Sequence, residues 1–129
     1  MTLTFSNAQH RMYLDFTEGN AGHWIAVFDG NQDFYSAAYW DLLRGMWRAE
    51  GPVRKTDALA FMTAVKSAHT AGKLVEAALA YGYLIEHENP DDARSKLLTL
   101  APDTRAKLDA FFDHVVKGLV ATARKIEAV

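Results

Sequence analysis

The sequence predicts a mainly α-helical (α+β) fold: a winged helix-turn-helix with a two-stranded wing and a long C-terminal helix. Two helical patterns stand in tandem at residues 57–62 and 67–81, and the second is the longer. Gly82 then separates the second helix from two short strand-like runs, residues 83–88 and 95–100, around a polar turn. A final helical pattern runs almost to the end of the chain. A helix followed at once by a β-hairpin is the arrangement of a recognition helix and its wing.

Composition predicts a soluble globular protein with a single domain over residues 1–129. Half of the residues are hydrophobic, 23% are charged and the net charge is −2, which is typical of this class. The chain has neither an apolar run long enough to span a membrane nor the pattern of a secretory signal. Cysteine is absent, which excludes disulfides and thiolate zinc sites and favours a cytoplasmic protein. Binding of nucleic acid would need a local basic surface.

The N-terminal segment, residues 1–35, gives the weakest pattern. Residues 7–16 are compatible with a short helix, and the glycine-containing residues 18–22 with a loop. The apolar residues 24–28 predict a short buried strand that an Asp-Gly-Asn turn closes, although a helix is also compatible with them. The function of this segment is not evident from its residues.

Residues 36–51 predict the first clear helix of the winged helix-turn-helix core, which extends over residues 36–100. Aromatic and aliphatic residues at helical spacing form one broad face, and Gly51-Pro52 ends the pattern. Such a face usually packs into a core. Residues 52–55 are extended and could add a short strand to the wing hairpin. The residues of the broad face are Tyr39, Trp40, Leu43, Met46 and Trp47.

The helix-turn-helix follows at residues 56–82. Thr56 can cap a short helix whose Leu59 and Met62 face inward. Ser67 can cap the recognition helix, and Gly82 can end it in the left-handed conformation that glycine adopts without steric penalty. The apolar stripe of this second helix consists of Ala71, Leu74, Val75, Ala78 and Leu79.

Pro102 can open the last helix, residues 102–128, because its missing amide is not needed in the first turn. A helix of about 25 residues is roughly 37 Å long and would extend beyond a small domain. A second copy of the chain could cover its apolar stripe, so we predict a homodimer. The alternative is that the stripe packs only on residues 1–50 of its own chain. The predicted dimerisation residues are Leu108, Phe112, Val115, Leu119 and Ile126.

Residues 57–108 resemble the winged helix-turn-helix of MarR-type transcriptional regulators. The most specific segment is Asn89-Pro90-Asp91-Asp92-Ala93-Arg94-Ser95-Lys96-Leu97-Leu98-Thr99-Leu100, which is similar to the family's wing signature. In that signature an Asp-x-Arg step precedes a strand ending in Leu-Thr. Upstream, Leu74-Val75-Glu76-Ala77-Ala78-Leu79-Ala80-Tyr81-Gly82-Tyr83-Leu84 is similar to the end of the family's recognition helix, with the glycine in register.

The resemblance implies a sequence-specific, DNA-binding transcriptional regulator that acts as a dimeric repressor on double-stranded DNA. Arg94 would reach the minor groove from the wing tip, held by a salt bridge to Asp92, and the N-terminal half of the recognition helix would face the major groove. The family's first and last helices form the dimer. The candidate DNA contacts are Ser67, His69, Thr70, Lys73, Arg94, Lys96, Lys66 and Lys55.

The wing turn is acidic at Glu86, Glu88, Asp91 and Asp92, so a second hypothesis is a winged-helix interaction and dimerisation module that does not bind DNA. An enzyme is not expected, because the chain has no nucleophile motif or phosphate-binding glycine loop. The five histidines lack metal-ligand spacing, so neither a metal nor a cofactor is expected. The resemblance also suggests a small aromatic effector, although the same side chains could simply form a core. The candidates for that pocket are Trp24, Tyr39, Trp40 and Trp47.

Overall fold

The computed structural model describes residues 2–129. They form five α-helices, one turn of 3₁₀ helix at Gln32–Phe34 and a three-stranded antiparallel sheet. The first of two compact units combines residues 2–32 with residues 107–129, and the second is residues 33–106. Within the described residues no helix is long and apolar enough to cross a membrane. The elements are α1 Asn7–Val27, α2 Ala37–Ala49, β1 Val53–Arg54, α3 Lys55–Phe61, α4 Ala68–Ala80, β2 Leu84–His87, β3 Leu97–Leu100 and α5 Pro102–Glu127.

The first unit is a pair of antiparallel helices, α1 and the part of α5 from residue 107 onward. Near one end, the side-chain amide of Gln9 donates to the carbonyl oxygen of Ile126 at 2.8 Å. Near the other end, the indole of Trp24 packs edge-on to the ring of Phe111, with centroids 5.2 Å apart. The start of α1 therefore lies beside the end of α5, and each helix packs one face against the other.

Helix α1 is continuous, so the loop predicted at residues 18–22 and the strand predicted at residues 24–28 are wrong. The helix predicted at residues 7–16 is its first half. A capping box starts it: the Ser6 hydroxyl accepts from the Gln9 amide at 3.2 Å, and the Gln9 side chain accepts from the Ser6 amide at 2.8 Å.

The helical conformation of the apolar residues 24–28 has a tertiary cause. Trp24 contacts Phe28 on its own chain segment, with ring centroids 5.1 Å apart, and Phe111 on α5. This burial against a helix from the opposite end of the sequence outweighs the weak local preference for a strand. The predicted turn is present at the end of α1, where Asp29 and Gly30 have φ values of 57° and 81°.

The long helix α5 is present as predicted, beginning at Pro102. The prediction that Leu108 is a dimerisation residue needs correction. Leu108 is fully buried within its own chain, so it belongs to the core. Phe112, Val115 and Ile126 are partly exposed. Leu119 has an exposed fraction of 52%, so the uncovered part of the stripe lies toward the C-terminal half of the helix.

In the second unit, α2 confirms the helix predicted at residues 36–51, with the Ser36 hydroxyl accepting from the Tyr39 amide at 3.2 Å. The predicted Thr56 cap is wrong. Helix α3 begins at Lys55, and Arg54 stands at the cap position without a side-chain hydrogen bond. The reason is that the chain passes directly from β1 into α3. Met62 is buried as predicted, whereas Ala58 is more deeply buried than Leu59.

The sheet has the strand order β1-β3-β2, with β3 in the centre. Leu98 of β3 lies opposite Val53 of β1 on one side and opposite Glu86 of β2 on the other. The prediction that residues 52–55 add a short strand to the wing hairpin is therefore confirmed. The core of this unit is formed by Leu42, Leu43, Met46, Met62, Val75, Leu84 and Leu98, each with an exposed fraction of 2% or less.

Candidate nucleic-acid interface

Helix α4 starts at the predicted cap. The Ser67 hydroxyl accepts from the backbone N–H of Thr70 at 3.4 Å. Lys66 directly before the cap and His69 in the first turn are both exposed. The remaining first-turn amides of a helix carry partial positive charge and point outward, so this end of α4 can receive an anionic oxygen.

The two faces of α4 differ sharply in chemistry. Ala71 and Val75 are buried, as is Ala78 one turn further along. On the opposite side lie exposed polar residues at helical spacing. Since the buried residues are small and the exposed ones can donate or accept hydrogen bonds, α4 can rest on the core while its outer face reads a polar surface. These exposed residues are His69, Thr70, Lys73 and Glu76.

Helix α2 fixes the middle of α4 through a hydroxyl group. The phenol of Tyr39 donates to the carbonyl oxygen of Leu74 at 2.9 Å. Burial raises the pKa of the Tyr39 phenol above its ordinary value, and the charge of Asp33 raises it further. The phenol is therefore neutral at physiological pH and keeps the proton that it donates to the Leu74 carbonyl oxygen.

Helix α4 ends in a Schellman motif centred on Gly82. The Tyr83 amide donates to the Ala78 carbonyl and the Gly82 amide to the Leu79 carbonyl, both at 3.0 Å. Gly82 has a φ of 79°, the left-handed conformation that this motif requires. The predicted stop signal is confirmed, and it turns the chain directly from the helix into β2.

The wing tip is a polar loop closed by Asx turns. Its Asn89 side chain accepts from the Asp91 amide, and the Asp92 carboxylate accepts from the Arg94 amide, each at 3.0 Å. The same Asp92 oxygen lies 3.8 Å from Nε of Arg94. The Arg94 side chain is 96% exposed, so Asp92 shapes the loop backbone and leaves the guanidinium projecting into solvent.

Two of the lysines among the candidate DNA contacts are paired with carboxylates inside the unit. The Lys96 ammonium pairs with the Glu88 carboxylate across the wing. The Lys55 ammonium lies 2.6 Å from Oε1 of Glu76 and 3.0 Å from Oε2 of Glu86. By contrast, Lys66 and Lys73 form no ion pair with any residue in the range 2–129. Among the candidate DNA contacts, the cations most available to an anion therefore lie at Lys66 and Lys73, in and just before the first half of α4, and at the wing tip.

The four candidate pocket residues do not share one unit, and they differ in burial: Trp24 and Tyr39 are buried, whereas Trp40 has an exposed fraction of 37%. Trp24 belongs to the first unit. Tyr39 packs against Phe34 with ring centroids 4.3 Å apart. Trp40 and Trp47 each lie under a guanidinium, at 5.6 Å and 4.8 Å respectively. These side chains serve as packing surfaces in the structure. The two guanidiniums belong to Arg44 and Arg105.

Sequence reasoning missed two contacts that position α4, namely the Tyr39 hydroxyl and the carboxylates around Lys55. The position of Lys55, directly after a short strand, places its side chain beside the wing, but it does not reveal that α4 and β2 both supply a carboxylate to it. No local signal marks the first. In the part of the chain that the structure covers, no cluster of three or more His, Cys, Asp or Glu residues could hold a metal ion.

Comparisons with known proteins give no family at the level of sequence. No protein-family model matches the chain, and no curated protein matches it either. The similarity is at the level of structure.

Three solved structures illustrate that similarity. A MarR mutant from E. coli complexed with operator DNA has a TM-score of 0.55 at 12% identity, covering 93% of this chain and 83% of its own. The heme sensor protein PefR from Streptococcus agalactiae, in complex with heme, has a TM-score of 0.56 at 16% identity, covering 94% and 80%. A probable transcriptional regulator from Pseudomonas aeruginosa has a TM-score of 0.50 at 24% identity, covering 90% and 76%. The chain therefore has the winged-helix fold of MarR-type transcription regulators.

Proposed function

We propose that this protein is a dimeric, sequence-specific DNA-binding transcriptional repressor. The observation that carries the proposal is the exposed surface formed by Lys66, directly before the cap of α4, and by Lys73 on its outer face, which form no ion pair within residues 2–129, beside a wing whose Arg94 side chain is 96% exposed. Helix α4 would enter the major groove and the wing the adjacent minor groove. A repressor acts on chromosomal DNA, so the proposal places the protein in the cytoplasm.

The charges support a modest rather than a strong affinity for phosphate. Lys96 and Lys55 are already paired with carboxylates, so they contribute little net positive charge to the surface. We therefore propose Ser67 and Thr70 as phosphate contacts, because hydroxyls and amides at a helix start can donate to phosphate without net charge. Lys66 is the third proposed phosphate contact, through its charge. His69, Lys73 and Arg94 are the proposed base-edge contacts.

The first unit supports dimerisation. Two helices cannot cover the whole apolar surface of one another, and Leu14 on α1 and Val116 and Leu119 on α5 have exposed fractions of 50%, 56% and 52%. A second copy would convert the helix pair into a four-helix arrangement that buries these side chains. A dimer also places two α4 helices on one DNA duplex, as a pseudo-palindromic operator requires.

The dimer is tested by mass measurement in solution at micromolar concentration. We expect twice the chain mass for the wild type, and a monomer for Leu14→Glu combined with Leu119→Glu, because each change would bury a carboxylate. Circular dichroism establishes that the variant remains helical. A wild-type monomer would contradict the proposed role of α5.

DNA binding is tested with duplexes selected from a random library, with affinity measured over a series of salt concentrations. The logarithm of the DNA association constant falls linearly with the logarithm of the salt concentration. Lys66→Ala should make that slope shallower by about 0.9 if Lys66 neutralises one phosphate. Arg94→Ala should weaken binding by roughly 1–3 kcal/mol if the guanidinium makes a base-edge contact. The matched control is Lys117→Ala, which removes an exposed cation from α5 in the first unit.

Equal binding by all four proteins would contradict the proposed contacts of Lys66 and Arg94, and selection of no duplex would contradict DNA binding. The acidic wing would then favour the second candidate function, an interaction module in which the same surface docks a protein.

A further inference from the structure

Lys55 occupies a junction between three elements of the second unit. It is the first residue of α3, and its backbone amide donates to the carbonyl oxygen of Lys96 at 2.9 Å, next to β3. Its ammonium donates to Glu76 at 2.6 Å and to Glu86 at 3.0 Å. One side chain therefore joins the proposed recognition helix to the wing, while its own backbone is held at the sheet.

The two carboxylates come from the elements that would contact DNA. Glu76 lies on α4 one turn beyond Lys73, on the exposed face of that helix. Glu86 lies on β2 opposite Leu98. Without a cation between them, two negative charges would repel each other, and both would repel the phosphates of a bound duplex.

The Lys55 ammonium remains charged throughout the physiological range. Its hydrogen bond to Glu76 raises the pKa of Lys55 above the ordinary value, partial desolvation opposes the rise, and the hydrogen bond to Glu86 supports it. The ammonium has three donors, and two of them are directed at these carboxylates. Its geometry is thus that of an internal bridge rather than of a cation directed at solvent.

We propose that Lys55 is a positioning residue for DNA binding, which holds α4 and the wing together and neutralises Glu76 and Glu86, instead of contacting phosphate itself. The proposal rests on the proposed DNA-binding function. Isolated surface ion pairs stabilise proteins little, but several charges bridging three elements form a network whose geometry matters. The effect should therefore appear in DNA affinity more than in overall stability.

The test compares three variants of the full chain. Lys55→Met should weaken binding to a selected duplex roughly five- to twentyfold, because two carboxylates are left without their cation, while the salt dependence keeps its wild-type slope. The triple variant Lys55→Met, Glu76→Gln, Glu86→Gln should recover most of the lost affinity, since it removes the repulsion with the ion pairs. The control is Lys117→Met in the first unit, because the wild-type Lys117 ammonium also has a carboxylate partner, Asp113, at 3.0 Å. This variant should bind DNA as the wild type does.

Two results would overturn the proposal. One is an equally large loss of DNA affinity in Lys55→Met and in the triple variant, together with a salt-dependence slope that is shallower by about 0.9. That change in slope is the signature of a phosphate contact. The other is wild-type affinity in Lys55→Met.

A measurement without DNA separates this proposal from the proposed function. Amide hydrogen exchange in β2 should be several-fold faster in Lys55→Met than in Lys117→Met, because the wing loses its ion pair to the Lys55 ammonium, which also holds α4. Equal exchange in the two variants would overturn the bridge. If the wild-type protein binds no DNA, the proposed function and the DNA-positioning role both fail, and the exchange data alone decide whether Lys55 joins the helix to the wing.

Discussion

Replacing Gly45 with alanine should destabilise the contact between α2 and α3. A Cβ atom added at Gly45 would lie 2.5 Å from Cδ2 and 2.6 Å from Cγ of Phe61. Ordinary contacts between such carbons are about 3.5–4.0 Å, so the ring would have to move by roughly 1 Å. Because Cγ sits at the base of the ring, rotation about the ring axis cannot relieve the overlap, so the ring must swing about its Cα–Cβ bond or the last residue of α3 must shift.

The expected free energy combines two opposing effects. Overpacking a core site typically destabilises a protein by about 1–3 kcal/mol, whereas Gly→Ala inside a helix stabilises it by about 1 kcal/mol. Gly72→Ala in α4 provides the matched control, since nothing lies within 4 Å of the Cβ it would add. Both variants gain the same helix propensity. The difference between them therefore isolates the overlap with Phe61 and should be about 1–3 kcal/mol.

The measurement is urea unfolding of both variants and the wild type, followed by circular dichroism at one fixed protein concentration. The concentration must be the same in all three because dimerisation would add to the apparent stability. Gly72→Ala should raise the urea concentration at the unfolding midpoint above that of the wild type. Gly45→Ala should have a lower midpoint than Gly72→Ala, while the dependence of the unfolding free energy on urea concentration stays the same. Equal stability of Gly45→Ala and Gly72→Ala would contradict the close approach of Phe61 to Gly45.

Three further predictions concern the same unit. Gly82→Ala should destabilise the protein by about 1–2 kcal/mol, because a residue with a Cβ is strained at a φ of 79°; wild-type stability in urea would contradict this conformation. Ser67→Ala should destabilise it by about 1 kcal/mol through loss of the α4 cap, and restoration by Ser67→Asp distinguishes capping from packing. The raised pKa values of Tyr39 and Lys55 mean that the folded state holds these protons more tightly. The contribution of these two groups to the free energy of unfolding is fully present below about pH 10, and it is lost as the pH rises through their folded-state pKa values. Unfolding free energy measured from pH 8 to 11 should therefore fall at the alkaline end, and fall less steeply in Tyr39→Phe.

The recognition helix and wing are predictable because their signals are local. A serine cap, a glycine at the left-handed position and an Asn-Pro-Asp-Asp turn each act within a few residues. The structure has all three where the sequence predicts them. Residues 24–28 are the opposite case. Their conformation depends on Phe111, and a short sequence window contains no information about that partner.

In the candidate interface, too, the sequence predicts the features that depend on local spacing and not those that depend on distant partners. Helical spacing alone predicts that His69 and Lys73 are exposed while Val75 is buried. Charge pairing depends instead on strand register and on the approach of separate elements, so the sequence could not reveal that Lys55 lies between Glu76 and Glu86. Counting cations along the chain therefore overestimates how many can meet DNA.

The antiparallel pairing of α1 with α5 has a consequence for how the chain is made. Gln9 and Ile126, which are hydrogen-bonded, stand 117 positions apart. Closing a loop of that length requires roughly 2 kcal/mol more than closing the wing hairpin, so the local contacts of residues 33–106 should form earlier. On the ribosome, α1 emerges before its partner helix α5. The apolar residues 24–28 therefore stay uncovered until α5 has been made, and during that interval they are open to aggregation or to capture by a chaperone.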